Sequence, residues 1–76
     1  MREELRRIVD RYPGHELAPH ALEAWAASLE TDDPAAALAG YEELAERFPD
    51  DPFIERVRAR LARLRARGAG GEGAAP

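Results

Sequence analysis

Four arginines near the C-terminal end of the chain have the type and spacing to act as a group. They recur at intervals of three and four residues and therefore share one side of a helix: Arg56, Arg60, Arg63 and Arg67. A guanidinium group donates two parallel hydrogen bonds to one carboxylate, so such a row predicts a site for an acidic peptide or a C-terminal carboxylate. Two alternatives remain open. The arginines pair with Glu23 and Glu30 inside the chain, or they are only solvated.

Residues for catalysis are scarce. His15 and His20 are five residues apart, which does not place them on one helical face, and no third ligand has a matching spacing. Cys is absent, and Ser28 and Thr31 are the only hydroxyl side chains besides the tyrosines. No strand-turn-helix elbow presents either hydroxyl, and no glycine loop precedes a helix to hold a phosphate. We therefore predict no enzyme activity, no cofactor and no metal.

Four amphipathic helices are predicted to position these side chains. Asp33-Pro34 and Asp51-Pro52 each combine a capping carboxylate with a proline whose missing N–H costs nothing in a first turn. Pro13-Gly14 ends the first helix. No alternating β-branched run is present, so the predicted class is all-α. The predicted helices cover residues 2–12, 17–30, 34–48 and 52–67, and residues 68–76 are expected to form a flexible Gly/Ala-rich tail.

The third helix is predicted to be the middle of the fold. Tyr41, Leu44 and Phe48 fall on its apolar face, and we expect them to hold the fold together and not to bind a partner. Trp25 is expected to fill the core from the second helix. Gly40 costs up to ~1 kcal/mol relative to Ala within a helix, so we expect it where neighbouring helices cross closely.

The chain repeats its own pattern after a shift of 36 residues. The shift carries the first helix onto the third and the second onto the fourth. It brings Leu5 onto Tyr41, Ile8 onto Leu44, Tyr12 onto Phe48, Leu17 onto Phe53 and Ala21 onto Val57. A period of this length, with one helical hairpin per unit, is typical of an α-solenoid.

These residues resemble the tetratricopeptide repeat family, in the bacterial form with an aromatic-Pro pair closing each unit. Ala37, Tyr41 and Pro49 match the second half of the family pattern at its usual spacing. The first half matches if the turn between the two helices is one residue shorter than in the family. Its positions are then occupied by Leu22, Trp25, Ala26 and Leu29, with Ala26 in place of the family's Gly and Leu22 in place of its Trp. The resemblance covers Leu5 to Leu64. It implies about one and a half to two right-handed repeats of antiparallel hairpins, whereas the alternative is a generic four-helix bundle.

The two ends of the predicted stack differ. Arg58 and Arg65 stand where the second helix has Leu22 and Leu29, positions that face the next helix. Arginine at those positions is expected of a capping C-terminal helix. The first helix is short and lacks a preceding partner, so its exposed edge is expected to be covered by a homodimer or by docking on another protein.

The family resemblance also implies a function. In that family the first helix of each hairpin lines a concave groove that accepts an extended peptide or a helix. When the groove positions of the family are transferred to this sequence, the implied partner-binding residues are His20, Glu23, Ala27, Arg56, Arg60, Arg63 and Arg67. The family's carboxylate-binding pattern uses Lys and Asn, which this chain lacks, so the resemblance does not carry that preference over. We therefore predict an interaction module or scaffold that binds a protein or peptide partner, and the row of arginines favours an acidic one.

Charge is unevenly distributed along the chain. Residues 12–55 carry a net charge of −10 and residues 56–76 a net charge of +5, within a total of −4. The alternative function is nucleic-acid binding through the Arg-rich fourth helix, although the overall acidity weighs against it. No apolar stretch approaches the ~20 residues of a membrane span, and the N-terminus has no signal-peptide core, so the predicted location is the cytoplasm.

Overall fold

The computed structural model describes the backbone of residues 2–73 and the side chains of residues 2–68. Over that range the chain forms four helices: α1 (Arg2–Arg11), α2 (Ala18–Leu29), α3 (Pro34–Arg47) and α4 (Ile54–Gly73). No strand occurs within residues 2–73, which confirms the predicted all-α class. The helix bounds agree closely with the prediction for α1, α2 and α3 and differ at both ends of α4.

The two Asp-Pro pairs act differently. The Asp33 carboxylate accepts a hydrogen bond from the Ala36 amide at 3.1 Å, and α3 begins at the adjacent Pro34. The Asp51 carboxylate accepts from the Phe53 amide at 2.7 Å, which is the bond that a capping residue makes to the second position of a helix. The Ile54 amide, however, donates to the Asp51 carbonyl three residues back at 3.0 Å, so residues 52–53 form a tighter turn. Regular α-helix therefore begins at Ile54 and not at Pro52.

The C-terminal helix continues past its predicted end near Arg67 and reaches Gly73. Each residue added to an existing helix gains one backbone hydrogen bond, so a helix can extend beyond its last core contact. That contact is made by Leu64, and a Cβ atom built on Gly68 would find nothing within 4 Å. The flexibility of residues 68–76 stays a prediction, and residues 74–76 lie outside the described part of the chain.

Each helix packs against the next one along the chain, α1 on α2, α2 on α3 and α3 on α4. Tyr41 and Leu44 are 0 % and 1 % exposed, as expected for the middle of the fold, while Trp25 and Phe48 are half-buried at its edge. The buried cluster comprises Val9, Ala21, Leu22, Ala26, Tyr41, Leu44, Ile54, Val57, Leu61 and Leu64.

Polar contacts add to the apolar packing that holds α1 on the stack, in which Val9 is its one fully buried residue and Leu5 is partly buried. Arg6 donates two hydrogen bonds to the carboxylate of Glu43 in α3, at 2.8 and 3.0 Å. The same guanidinium lies 5.0 Å from the ring centroid of Trp25. Hydrogen bonds from Arg6 are the main cause that holds the pKa of Glu43 below its ordinary value of 4.5, and a hydrogen bond from Arg47 acts in the same direction.

Helices α2 and α3 cross closely at Gly40, as expected from its position. A Cβ atom at this residue would lie 2.9 Å from the Cβ of Ala26 and 2.9 Å from Cζ3 of Trp25. Both distances are shorter than a carbon–carbon contact of ~3.5 Å. Any residue larger than glycine would therefore push the two helices apart.

We expect Gly40→Ala to lower the free energy of unfolding by about 1–2 kcal/mol, because the strain of an overpacked contact exceeds the ~1 kcal/mol gained in helix propensity. Gly68→Ala is the matched control, since it makes the same change in α4 with open space around the new methyl group. In urea unfolding followed by circular dichroism, the free energy of unfolding should decrease for Gly40→Ala and increase for Gly68→Ala. A stabilising Gly40→Ala would show that α2 and α3 do not cross here.

Glu43→Gln should lower the free energy of unfolding at neutral pH by ~1 kcal/mol, because it removes the charged partner of Arg6 and Arg47 at a site only partly shielded from solvent. A carboxylate whose pKa is lowered by folding stabilises the fold above its ordinary value of 4.5, and that contribution is lost as the pH falls through the folded-state pKa. The difference from wild type should therefore shrink below about pH 4.5 in urea titrations. Glu46→Gln, on an exposed part of the same helix, should have little effect at any pH.

Candidate partner-binding surfaces

The predicted site residues of α2 and α4 face each other, and two of the arginines are already paired. Arg56 donates from Nε and Nη2 to the two carboxylate oxygens of Glu23, at 3.1 and 2.8 Å. Arg60 lies on the next turn, and its Nη1 atom is 3.4 Å from Oε2 of Glu30. The alternative in which the arginines pair with Glu23 and Glu30 is therefore observed for half of the row.

A polar cluster joins three helices beside these pairs. The hydroxyl of Tyr41 in α3 donates to Oε2 of Glu30, the residue that follows α2, at 2.6 Å, and Arg60 in α4 donates to the same hydroxyl at 3.2 Å. Burial is the main cause that raises the pKa of Tyr41 to about 12, and the hydrogen bond to Glu30 adds to it. The phenol therefore stays protonated at neutral pH and serves as a structural donor.

The sequence placed Tyr41 in the core and offered Glu30 as a partner of the arginines, but it did not connect Tyr41 with Glu30. A signal was available, because a buried tyrosine hydroxyl usually finds a polar partner. The sequence alone does not say which of several acids that partner is.

The other two arginines of the row differ from the first two. Within the described residues, Arg63 and Arg67 form no ion pair, and both are exposed. They line a small depression of about 90 Å³ together with Glu30, Arg60 and Leu64. The surface that α2 and α4 form together is here called the α2–α4 face. At the end of that face where Arg63 and Arg67 lie, both side chains can still donate hydrogen bonds to a carboxylate.

The remaining predicted site residues have simpler surroundings. His20 packs edge-on against the ring of Phe53, with 5.4 Å between ring centroids and 63° between planes. The Arg56 guanidinium covers the same phenylalanine ring at 4.7 Å from its centroid. Ala27 is exposed on α2. The structure thus brings His20, Glu23 and Arg56 together and leaves Ala27 outside that cluster.

The arginines of α4 outside the row are also engaged. Arg58 pairs with Glu55 at 3.2 Å and Arg65 with Glu42 at 2.7 Å, and both arginine side chains are more than half exposed. Four of the six arginines between residues 56 and 67 therefore already have acidic partners in the described structure. A nucleic-acid phosphate would have to compete with these internal carboxylates.

A second surface was not predicted residue by residue. It is an apolar groove of about 600 Å³ between α1 and α2, here called the α1–α2 groove, with His15 and His20 at its rim. Sequence periodicity placed Leu5, Ile8 and Tyr12 on one face with Val9, but Ile8 and Tyr12 are 39 % and 58 % exposed. The floor and walls of the groove are formed by Leu5, Ile8, Tyr12, Leu17, Ala21 and Ala24.

His15 is committed to the turn before α2, where its Nδ1 atom accepts a hydrogen bond from the Leu17 amide at 3.0 Å. Within the described residues, no group of three or more His, Asp or Glu side chains is placed to hold a metal ion. None of the described helices combines the length and apolar character needed to cross a membrane.

The chain matches no protein-family model, and neither a curated protein nor a solved structure shows significant similarity to it.

Tyr41→Phe should lower the free energy of unfolding by about 1–2 kcal/mol at neutral pH, because the partly buried Glu30 carboxylate loses its donor while ring packing is kept. Folding raises the pKa of Tyr41 from 10.0 to about 12, so its contribution is fully present below pH 10 and is lost as the pH rises through the folded-state value. The gap between wild type and variant should therefore narrow between about pH 10 and about pH 12 in urea titrations.

Tyr12→Phe is the control for that experiment, because Tyr12 is 58 % exposed. It should leave the urea midpoint at neutral pH nearly unchanged. Equal effects of the two substitutions would contradict a structural role for the Tyr41 hydroxyl.

Proposed function

We propose that this chain is a small helical-repeat interaction module that binds a segment of a partner protein. The observation that carries the proposal is the α1–α2 groove, where Ile8, Tyr12 and Leu17 are 39 %, 58 % and 55 % exposed within one continuous apolar surface. A concave apolar surface gives a partner segment a place to bury its own apolar side chains.

We further propose that the helices are arranged as tetratricopeptide-like hairpins, with α4 as the capping helix. Consecutive packing of the helices supports this arrangement, and the contacts between alternate helices support it as well: Arg6 joins α1 to α3, and Arg56 joins α2 to α4. A closed four-helix bundle would pack its first helix along its last. In the described helices α1 and α4 share no extensive contact.

The α2–α4 face would supply the charged part of recognition. Arg56 and Arg60 are held by Glu23 and Glu30 and form its framework, while Arg63 and Arg67 remain available to carboxylates. The preferred partner segment would therefore be acidic where it crosses this end of α4. A cytoplasmic location remains a prediction from the sequence.

The full chain, immobilised and exposed to an extract of its native host, should retain a defined partner protein. The double variant Arg63→Glu/Arg67→Glu should reduce that retention at least tenfold, because it replaces attraction by repulsion without touching an internal ion pair. Ala39→Arg, which adds charge on the exposed side of α3, is the matched control and should retain the partner in full. Quantitative mass spectrometry gives the readout, and circular dichroism checks that the fold is kept.

Equal retention by all variants, or no protein above background, would contradict the proposal.

Mixed-sequence DNA at low salt tests the nucleic-acid alternative. No binding is expected up to about 50 µM of protein, since most arginines of α4 are internally neutralised.

A further inference from the structure

Helix α2 packs along α3 and reaches α4 through side-chain contacts such as Glu23 with Arg56, and we call the surface on which it lies the occupied groove. At the crossing of α2 with α3, the Cβ of Ala26 lies 2.9 Å from where a Cβ on Gly40 would be. Polar groups fix the position of α2 along the groove, because Tyr41 and Arg60 contact Glu30 on one turn. At the other end the ring of His20 rests against Phe53.

The 36-residue internal correspondence maps this occupied groove onto the α1–α2 groove. The shift carries α1 onto α3 and α2 onto α4, so the residues that line the α1–α2 groove correspond to residues that surround α2. The counterparts include Leu5 for Tyr41, Ile8 for Leu44, Leu17 for Phe53, His20 for Arg56, Ala21 for Val57 and Ala24 for Arg60. The chain therefore has two related grooves, of which one already holds a helix.

We infer that the α1–α2 groove is a docking site for an amphipathic α-helix of a partner protein, seated as α2 is seated on α3 and α4. The inference rests on the proposed function as an interaction module and names the conformation and chemistry of the bound segment. A helix lays its apolar face into such a groove through residues at positions i, i+3, i+4 and i+7.

Differences between the two grooves specify the chemistry of the docked helix. Arg56 holds the carboxylate of Glu23 in α2, and Arg60 and Tyr41 hold that of Glu30 just after α2, whereas the corresponding groove positions are His20, Ala24 and Leu5. A carboxylate buried against Ala24 and Leu5 would lack a donor, which is costly. The docked helix is therefore apolar or small at the position of Glu30, while His20 can still donate to a polar group at the position of Glu23.

A second copy of this chain is a poorer occupant. Among the described residues the exposed large apolar side chains are Ile8, Tyr12, Leu17 and Phe53, and of these only Ile8 lies within a helix. That helix is α1, in which seven of ten residues are charged: Arg2, Glu3, Glu4, Arg6, Arg7, Asp10 and Arg11. Such a helix offers a narrow apolar stripe compared with α2, whose only acid between Ala18 and Leu29 is Glu23. The groove is better matched by a helix with a wider apolar face.

The test uses the full chain and a fluorescein-labelled synthetic peptide with the sequence of residues 17–31 carrying Glu23→Ala and Glu30→Ala. Fluorescence anisotropy should show saturable binding of this peptide. The unaltered peptide should bind at least threefold more weakly, because its Glu30 carboxylate finds no donor beside Leu5 and Ala24. Ile8→Arg in the full chain should weaken binding of the substituted peptide at least tenfold, while Ala39→Arg should leave it unchanged.

Nuclear magnetic resonance locates the bound peptide. Amide shifts of labelled full chain should change most at Ile8, Tyr12 and Ala24. Absence of binding, binding that Ile8→Arg does not weaken, or shifts centred on Val57 would each overturn the inference. So would a dimer of the full chain in sedimentation equilibrium that Ile8→Arg converts to monomer. If the full chain retains a partner from its native host but does not bind the peptide, the proposed function as an interaction module is supported. The inference that the α1–α2 groove binds a helix is then refuted.

Discussion

The close approach of α2 and α3 at Gly40 is the constraint on which the rest of the structure depends. The absence of a side chain there lets the Cβ of Ala26 and the ring of Trp25 come within 2.9 Å of the space that a Cβ would fill. The next residue, Tyr41, is thereby buried with its hydroxyl 2.6 Å from Glu30 at the end of α2. Arg60 reaches the same hydroxyl from α4, so one contact between two helices also sets the position of a third.

The uneven charge of the sequence is explained by how the helices stack. The acidic middle of the chain supplies carboxylates to arginines from both ends, as in Arg6–Glu43 from α1 and Arg56–Glu23 from α4. Such partly exposed pairs each contribute only ~0–1 kcal/mol, so burial of the apolar cluster remains the main driving force. Among the described residues no buried side-chain nitrogen or oxygen lacks a hydrogen-bond partner. The ion pairs therefore serve mainly to fix which helix lies against which.

Sequence patterns predicted the local features of this fold better than its long-range ones. Helical periodicity and the capping Asp33 placed α3 correctly, and the cost of a mid-helix glycine indicated the crossing at Gly40. The start of α4 was predicted two residues too early, because a capping Asp51 does not show whether the first turn is α-helical or the tighter turn formed by residues 52–53. Periodicity also could not say that the face carrying Ile8 lacks a covering helix. Arg56 and Glu23 are 33 residues apart in the sequence. The spacing of residues along one helix does not show whether Arg56 pairs with that glutamate or stays free for a partner protein.

The two related grooves differ in the way expected for a tethered and an untethered helix. Helix α2 is joined to α3 by a short turn, so little freedom is lost when it docks, and polar contacts such as Glu30 with Tyr41 suffice to fix its register. A helix from another molecule must also overcome the loss of translational and rotational freedom on association. Apolar area is the non-directional contribution best able to offset that loss, because it needs no exact register. The apolar α1–α2 groove, with Leu5 and Ala24 in place of Tyr41 and Arg60, has the lining that an untethered helix requires.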